Sequence, residues 1–184
     1  MRDVADNSVA LVVTSPPYFA GKAYEEALGE GGVPATYLDY LQMLRDVFRE
    51  CVRVLEPGGR IAVNVANLGR KPYIPLSDHI SQLMLDIGFN MRGEIIWDKA
   101  ASAGISTAWG SFASSSNPVL RDMHEYIMVF SKDQFKLPDG GKTGITGGQF
   151  VDWTRSIWRP NSSGASSASV PSWPPSHSPP TPPS

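Results

Sequence analysis

The sequence has little cysteine and little charge. Cys51 is its single cysteine, which excludes an internal disulfide framework and a cysteine-rich zinc site and favours a reducing compartment. Charged residues make up 18% of the chain, below the usual quarter, and the formal net charge is −2. The chain therefore lacks the overall basic surplus typical of nucleic-acid-binding proteins, although a local basic face remains compatible with this composition.

Long apolar runs are also absent. No stretch approaches the length needed to span a bilayer, and the residues that follow Met1 do not form a signal-peptide core. We therefore expect a cytoplasmic protein with no membrane partner. A chain of 184 residues is long enough for one domain with a substantial core and too short to favour two.

Apolar periodicity predicts alternating strands and helices. Residues 9–14 (VALVVT) form a continuous β-branched run, typical of a strand that is covered on both faces in a parallel sheet. Further strands are predicted at 60–65, 93–98 and 126–131, and amphipathic helices at 37–55 and 76–87, the first of them ended by the turn Pro57-Gly58-Gly59. This alternation predicts an α/β fold with a mostly parallel sheet, in which a later pair of strands is free to be antiparallel.

Two segments have the composition of loops. Residues 100–118 are rich in serine and small residues, and loops of that length are usually functional or mobile. Residues 161–184 contain no charged residue and consist mainly of serine, proline and alanine, so we expect them to be disordered.

The first predicted strand runs directly into Ser15-Pro16-Pro17-Tyr18. Paired prolines restrict the backbone and offer no N–H group, which makes the segment a rigid platform of hydrogen-bond acceptors. The Ser15 hydroxyl and the Pro16 carbonyl can together hold a planar amino group, and Tyr18 can stack on the ring that carries it. A simple turn that ends the strand is the competing interpretation.

The TSPPY motif resembles the catalytic motif of DNA methyltransferases that modify exocyclic amino groups, and its serine version is most typical of the cytosine-N4 enzymes. Three later segments also resemble this family, in the same order: RVLEPGGRIAVNV (53–65), GFNMRGEIIWDKA (88–100) and HEYIMVFSK (124–132). With the catalytic motif first, the order is similar to the β arrangement. The resemblance implies a Rossmann-like methyltransferase fold, with the catalytic half in 1–132 and the start of the target-recognition region in 133–160.

The resemblance also implies a reaction. A methyl group would pass directly from S-adenosylmethionine to the exocyclic amino group of a base flipped out of double-stranded DNA, most typically cytosine N4. Ser15, Pro16, Pro17 and Tyr18 would be the catalytic residues, and a cognate restriction endonuclease would be a further partner. Adenine N6, an RNA base and a protein glutamine are alternative targets.

The family's glycine-rich cofactor turn, which joins a strand to a helix, has no counterpart in the sequence. GEGG (29–32) and TGGQF (146–150) do not follow a strand, and PGG (57–59) follows a helix. We therefore assign no cofactor-binding residue and expect the fold to be incomplete in its cofactor half. A frameshift or a truncation would account for the change to the Ser/Pro-rich tail, and an inactive or DNA-binding remnant is a further alternative.

Four basic residues near predicted loop edges are candidate contacts to DNA phosphates, with a solvated surface as the competing interpretation: Arg70, Lys71, Arg92 and Lys99. Three aromatic residues that could reach the duplex, or be buried instead, are Trp109, Phe112 and Trp153.

The remaining reactive or polar side chains have structural interpretations beside the functional ones. Cys51 lies on the apolar side of a predicted helix, which favours a place in the core over a nucleophilic role. His124 and Glu125 introduce the last strand, near the expected base pocket, where an acid–base role is a secondary hypothesis. Asn64 and Asn67 could line the cleft or cap a helix. The positions of the histidines do not favour a metal site.

Overall fold

The computed structural model describes residues 1–19, 36–69, 72–99, 120, 122–138 and 140–159. The predicted loop at 100–118 and the tail at 161–184 lie outside these residues. The described part contains, in chain order, β1 (Val9–Thr14), α1 (Tyr37–Val54), β2 (Leu55–Val65), α2 (Leu76–Asp86), β3 (Phe89–Asp98), β4 (His124–Lys132), α3 (Gly147–Trp153) and β5 (Ile157–Trp158). No helix in this part is long and apolar enough to cross a membrane.

The strands form one sheet in the order β1-β2-β4-β3-β5. β1 is parallel to β2, and β3 is parallel to β5, whereas β4 is antiparallel to both β2 and β3. Within the described residues every strand except β4 therefore runs in one direction. This arrangement agrees with the predicted α/β fold, in which a later pair of strands was free to be antiparallel.

Helices α1 and α2 build the core against one face of the sheet. The buried residues of α1 recur at three- and four-residue spacing, which gives the helix one apolar face. Its N-terminus is capped by Thr36, whose side chain accepts from the backbone N–H of Asp39. The largest buried side chains of this core are Tyr40, Phe48, Leu55, Ile61, Leu76, Ile80, Met84, Met128 and Phe130.

The prediction that β1 is covered on both faces is wrong. Val9 and Val12 pack against the core, but the side chains of Leu11 and Val13 are 56% and 72% exposed. β1 lies at an edge of the sheet, and α1 and α2 cover the opposite face from Leu11 and Val13. An apolar run predicts burial, but it does not reveal whether a second layer is present to cover the strand.

The prediction of a turn at Pro57-Gly58-Gly59 is also wrong. β2 begins at Leu55, directly after α1, and the glycines lie within its first residues, where the register with β1 shifts. Gly58 has a φ of +81°, and a Cβ atom there would lie 2.3 Å from the carbonyl oxygen of Lys136. Glycine is therefore required at this irregularity of the strand rather than at the end of the helix.

Candidate functional site

The segments that resemble the family motifs meet at one edge of the sheet. β1, β2 and β3 end at this edge, at Thr14, Val65 and Asp98, and β4 begins there at His124. In open α/β sheets, ligands bind in the crevice beyond the carboxyl ends of the strands. The loop that follows β1, with the predicted catalytic residues, therefore lies where such a fold places its active site.

Contacts on both sides hold this loop in place. The hydroxyl of Tyr40, on α1, donates to the carbonyl oxygen of Pro17 at 2.8 Å. The ring of Phe19 packs against those of Tyr37 and Tyr40, with centroids 5.8 and 5.6 Å apart. Pro16 is buried, whereas Ser15 is exposed. The loop thus presents the Ser15 side chain to solvent from a fixed backbone.

Tyr18 is half-buried and joins the loop to the end of β2. Its hydroxyl oxygen accepts a hydrogen bond from the backbone N–H of Ala66 at 3.1 Å. Burial raises the pKa of Tyr18, and the bond from Ala66 opposes that shift. The negative charge of Glu125 also raises the pKa of Tyr18, whereas the charge of Lys99 and a hydrogen bond with the Ser15 side chain lower it.

Glu125 is the centre of a polar network beside this loop. One of its carboxylate oxygens accepts from Asn64 Nδ2 at 2.7 Å, and the other accepts from Lys99 Nζ at 2.5 Å. Burial raises the pKa of Glu125, but the bonds from Lys99 and Asn64 outweigh it, so the pKa is lowered overall. The carboxyl group is therefore ionised at neutral pH and can only accept hydrogen bonds.

Two of the four predicted phosphate contacts, Lys99 and Arg92, lie in the described part of the chain, near opposite ends of β3. Lys99 lies at the carboxyl edge of the sheet, where it pairs with Glu125 and its ammonium lies 5.5 Å from the centre of the Trp97 ring. Arg92 lies nearer the start of β3, and its guanidinium donates to the carbonyl of Phe135 at 2.7 Å. The remaining two, Arg70 and Lys71, lie outside the described residues.

Several other residues have structural roles. Asn67 Oδ1 accepts from the backbone N–H of Ser77 at 2.8 Å, in the first turn of α2, so Asn67 caps that helix. The Nδ1 atom of His79 is hydrogen-bonded to the hydroxyl of Tyr37 at 2.7 Å. Cys51 is buried in the core, where burial raises the pKa of its thiol.

The remaining candidates can be placed in part. The side chain of Trp153 is 45% exposed, on α3, and Trp109 and Phe112 lie outside the described residues. His124 packs edge-on against Tyr126, with ring centroids 4.8 Å apart. No group of three His, Cys, Asp or Glu side chains in the described ranges is placed to hold a metal ion.

Sequence reasoning missed Tyr40, because a tyrosine was not counted on the apolar side of the first helix. The buried residues of α1 nevertheless include Tyr40, Leu44, Phe48 and Cys51, a spacing that would have identified it as an inward-facing position. Two other apolar residues of this helix, Leu38 and Val47, are exposed. The hydroxyl of Tyr40 is the feature of the site that the pattern could not indicate.

Comparison with known proteins identifies the family. The family model described as DNA methylase, of the N6/N4 type, matches residues 9–170. The chain belongs to the N6/N4 DNA methylases. The type II methyltransferase M.MjaVI of Methanocaldococcus jannaschii is 32% identical over 157 residues, which cover 85% of this chain and 78% of that protein. The family that the TSPPY motif and the three later segments predicted is confirmed.

Solved structures show the same fold in longer proteins. The Thermus thermophilus protein TTHA0409, in complex with S-adenosyl-L-methionine, aligns with a TM-score of 0.58 and 26% identity. The alignment covers 86% of this chain and 63% of that one. The cytosine-N4-specific PvuII DNA methyltransferase aligns with a TM-score of 0.59, over 90% of this chain and 55% of that one. At 14% identity, the second likeness supports the methyltransferase fold alone.

Proposed function

We propose that the complete protein, meaning this chain together with the cofactor half of the methyltransferase fold, transfers a methyl group from S-adenosyl-L-methionine to the N4 amino group of cytosine in double-stranded DNA. Membership of the N6/N4 DNA methylases supports an amino group of DNA as the methyl acceptor. The serine at position 15 favours cytosine N4 over adenine N6, because Ser-Pro-Pro-Tyr is most typical of cytosine-N4 enzymes. We also propose the cytoplasm as its compartment, and a restriction endonuclease of the same specificity as its partner.

A single structural observation carries this proposal: Ser15 is exposed at the carboxyl edge of the sheet, on a loop whose next residues are fixed. Tyr40 holds the carbonyl of Pro17, and Ala66 holds the hydroxyl of Tyr18. Because these bonds fix the backbone that follows Ser15, the Ser15 hydroxyl is held in a defined position. Such fixed positioning is what direct transfer between two bound groups requires.

The chemistry assigned to the loop follows from its atoms. A cytosine amino group has a delocalised lone pair, so it is a weak nucleophile until its nitrogen becomes pyramidal. Ser15 Oγ and the Pro16 carbonyl can each accept a hydrogen bond from one of the two N–H groups, and these hydrogen bonds stabilise the pyramidal nitrogen. We assign to Tyr18 the stacking contact with the base that has left the duplex. The bond from nitrogen to the methyl group would form as the bond from sulfur to that group breaks, S-adenosylhomocysteine would leave, and one amino proton would pass to solvent. Positioning and these hydrogen bonds would supply the catalysis, without a covalent intermediate on the protein.

The described residues do not fit S-adenosyl-L-methionine by themselves. A backbone cradle needs a glycine turn between a strand and a helix, and the described glycines do not provide one. The space beside Gly58 is filled by the carbonyl of Lys136, and a Cβ on Gly59 would lie 2.8 Å from the carbonyl of Glu56. We therefore assign only the base-binding half of the active site to the described residues.

We propose residues 133–160 as the start of the target-recognition region. In this segment the structure shows α3 and β5, and β5 pairs with β3 through Ile96 and Ile157. Its large apolar side chains face solvent: Phe150, Val151, Trp153, Ile157 and Trp158 are between 40% and 60% exposed. Exposed aromatic rings are suited to stacking on bases, and Arg155 and Arg159, which pair with Asp152 and Asp98, lie in the same segment.

The test is the identity of the methylated product. The complete protein would be incubated with unmethylated genomic DNA and methyl-labelled S-adenosyl-L-methionine, and the DNA would be digested to nucleosides for mass spectrometry. We expect label in N4-methyldeoxycytidine. Label in N6-methyldeoxyadenosine would reject the cytosine assignment. Label that enters only RNA or a protein substrate, in parallel reactions, would reject DNA as the substrate.

A further inference from the structure

The structure leaves one buried acceptor atom at the site without a partner. Asn64 Oδ1 is hidden from solvent and makes no hydrogen bond within the described part of the chain. Buried polar atoms are nearly always hydrogen-bonded, so an exception next to an active-site loop calls for an explanation. Its neighbour on the same amide, Nδ2, is bonded to Glu125 at 2.7 Å.

The sheet determines the direction in which this free acceptor points. β2 lies between β1 and β4 in the strand order, and Glu125 belongs to β4. When the NH₂ group of Asn64 faces Glu125, its carbonyl oxygen is turned toward β1. The parallel register pairs Thr14 with Val63, so the next residue of each strand, Ser15 and Asn64, lie beside each other at the end of the ladder.

We propose that Glu125 is a positioning residue that orients Asn64, so that Asn64 Oδ1 accepts the hydroxyl proton of Ser15 when the base is bound. A serine whose proton is held in this way offers its oxygen lone pairs to the target amino group instead of competing as a donor. This inference rests on the proposed function. The bond would form on substrate binding, because Asn64 Oδ1 makes no hydrogen bond within the described residues and catalytic hydrogen bonds often reach their final geometry only when the substrate is bound.

The ion pair with Lys99 explains why Glu125 suits this role. Because Lys99 holds one carboxylate oxygen, the other is left to receive the Asn64 amide in a single orientation. A neutral amide in place of Glu125 would act differently. Its oxygen would turn to the Lys99 ammonium and its NH₂ group to Asn64, whose amide would then flip. Asn64 would present N–H instead of C=O toward Ser15, and Ser15 would lose its acceptor.

The test compares 2′-deoxycytidine with 2-pyrimidinone 2′-deoxyriboside, which has hydrogen in place of the amino group. Binding of each nucleoside to the 184-residue chain would be followed by NMR shifts of Tyr18 and of the Asn64 side-chain amide. We expect the wild type to prefer deoxycytidine by about threefold to tenfold, the range of one or two neutral hydrogen bonds. Glu125→Gln should reduce that preference by about threefold, the share of the Ser15 hydrogen bond, with little change in the affinity for the analogue.

A second substitution that restores the acceptor for Ser15 distinguishes a positioning role of Glu125 from a general effect on the structure. In Glu125→Gln/Asn64→Asp, the new carboxylate accepts from Gln at one oxygen and offers the other to Ser15, so the preference should return. Glu50→Gln removes the same charge from an ion pair with Arg53, away from this edge of the sheet, and should leave the preference unchanged. If Glu125→Gln does not fold, Asn64→Leu removes the acceptor directly and should reduce the preference to the same extent.

The outcomes separate this inference from the proposed function. A wild-type preference that survives unchanged in Glu125→Gln and Asn64→Leu would overturn the positioning role, as would a double variant that stays as impaired as Glu125→Gln. Equal binding of both nucleosides by the wild type would also overturn it. In each of these cases, methylated cytosine in the product assay would leave the proposed function standing.

Discussion

The hydroxyl of Tyr40 and the carbonyl of Pro17 are joined by a hydrogen bond of 2.8 Å. It ties the loop after β1 to the first helix, and the two residues are 23 positions apart in the chain. Tyr40 is itself almost fully buried, at 2% exposure. The loop that carries Ser15 is therefore fixed by the hydrophobic core as well as by its own prolines.

Tyr40→Phe should loosen this loop while it preserves the core. The ring remains, so we expect the free energy of unfolding to fall by only about 1 kcal/mol, the usual worth of one hydrogen bond. Hydrogen exchange at the Tyr18 amide should become faster, because the backbone before it loses its anchor. Tyr37→Phe is the matched control, since it removes the hydroxyl bonded to His79 without touching Pro17. Equal exchange rates at Tyr18 in both variants would contradict the anchoring role.

Tyr18→Ala should weaken binding to DNA that contains a mismatched cytosine, a base that leaves the duplex easily. The lost stacking contact is worth about 1–3 kcal/mol, so we expect the dissociation constant to rise about tenfold or more. Tyr18→Phe keeps the ring and loses the hydroxyl, with its bonds to Ala66 and Ser15, and its affinity should stay close to that of the wild type. Fluorescence anisotropy with a labelled duplex measures both. An unchanged affinity in Tyr18→Ala would remove this ring from the base site.

Patterns among neighbouring residues predicted individual strands and helices, but they did not predict contacts between residues far apart in the chain. β1 and the start of α1 lie where the apolar run and the helical spacing placed them. The contact between Asn64 and Glu125 could not be predicted, because it joins residues 61 positions apart and depends on the register of β2 and β4. The bulge at Gly58 was also missed, since a glycine after a helix more often ends that helix than enters a strand.

The same distinction applies to the residues of the candidate site. TSPPY identified Ser15 and Tyr18 because the motif is contiguous in sequence. The basic residues were chosen for charge and nearness to loops alone, and that reasoning could not distinguish Lys99, which pairs with Glu125, from Arg92, which contacts Phe135. A lysine with a carboxylate partner contributes to the site by holding that partner. Such a role becomes visible only when the ends of β3 and β4 are brought together.

Lys99→Met should raise the pKa of Glu125. Burial raises this pKa already, and Lys99 is the main group that opposes it, so its removal leaves desolvation dominant. In the wild type the lowered pKa stabilises the fold above the ordinary value of 4.5, and this contribution is lost as the pH falls through the folded-state pKa. The variant should therefore be less stable than the wild type at pH 7, with a smaller difference at pH 4.

Two measurements check this behaviour. Carbon-13 NMR of the Glu125 carboxyl group gives the pKa directly, and urea unfolding at the two pH values gives the difference in free energy. Arg49→Met serves as a control, because it removes a cation from an exposed pair with Asp46 on α1. A Glu125 pKa that is the same in Lys99→Met and in the wild type would show that Lys99 does not control this carboxylate.

The 184-residue chain should bind S-adenosyl-L-methionine weakly or not at all, because its described residues supply no glycine cradle. Isothermal titration calorimetry of the folded chain should give no saturable heat at micromolar concentrations. A stoichiometric micromolar affinity, on the order of −8 kcal/mol, would contradict the assignment of these residues to the base-binding half alone. It would place a cofactor site in residues outside the described ranges.

Ser15→Ala in the complete protein tests most directly whether the exposed hydroxyl acts on the reacting amino group. Single-turnover methylation would be measured beside the dissociation constant for DNA, with Ser81→Ala, a serine on α2 that contacts Met128, as the control. We predict a rate of methyl transfer about 100-fold lower, comparable to removal of one preorganised catalytic hydrogen bond, with a nearly unchanged dissociation constant. Equal losses in rate and in DNA binding, or a rate close to that of the wild type, would contradict the catalytic role of Ser15.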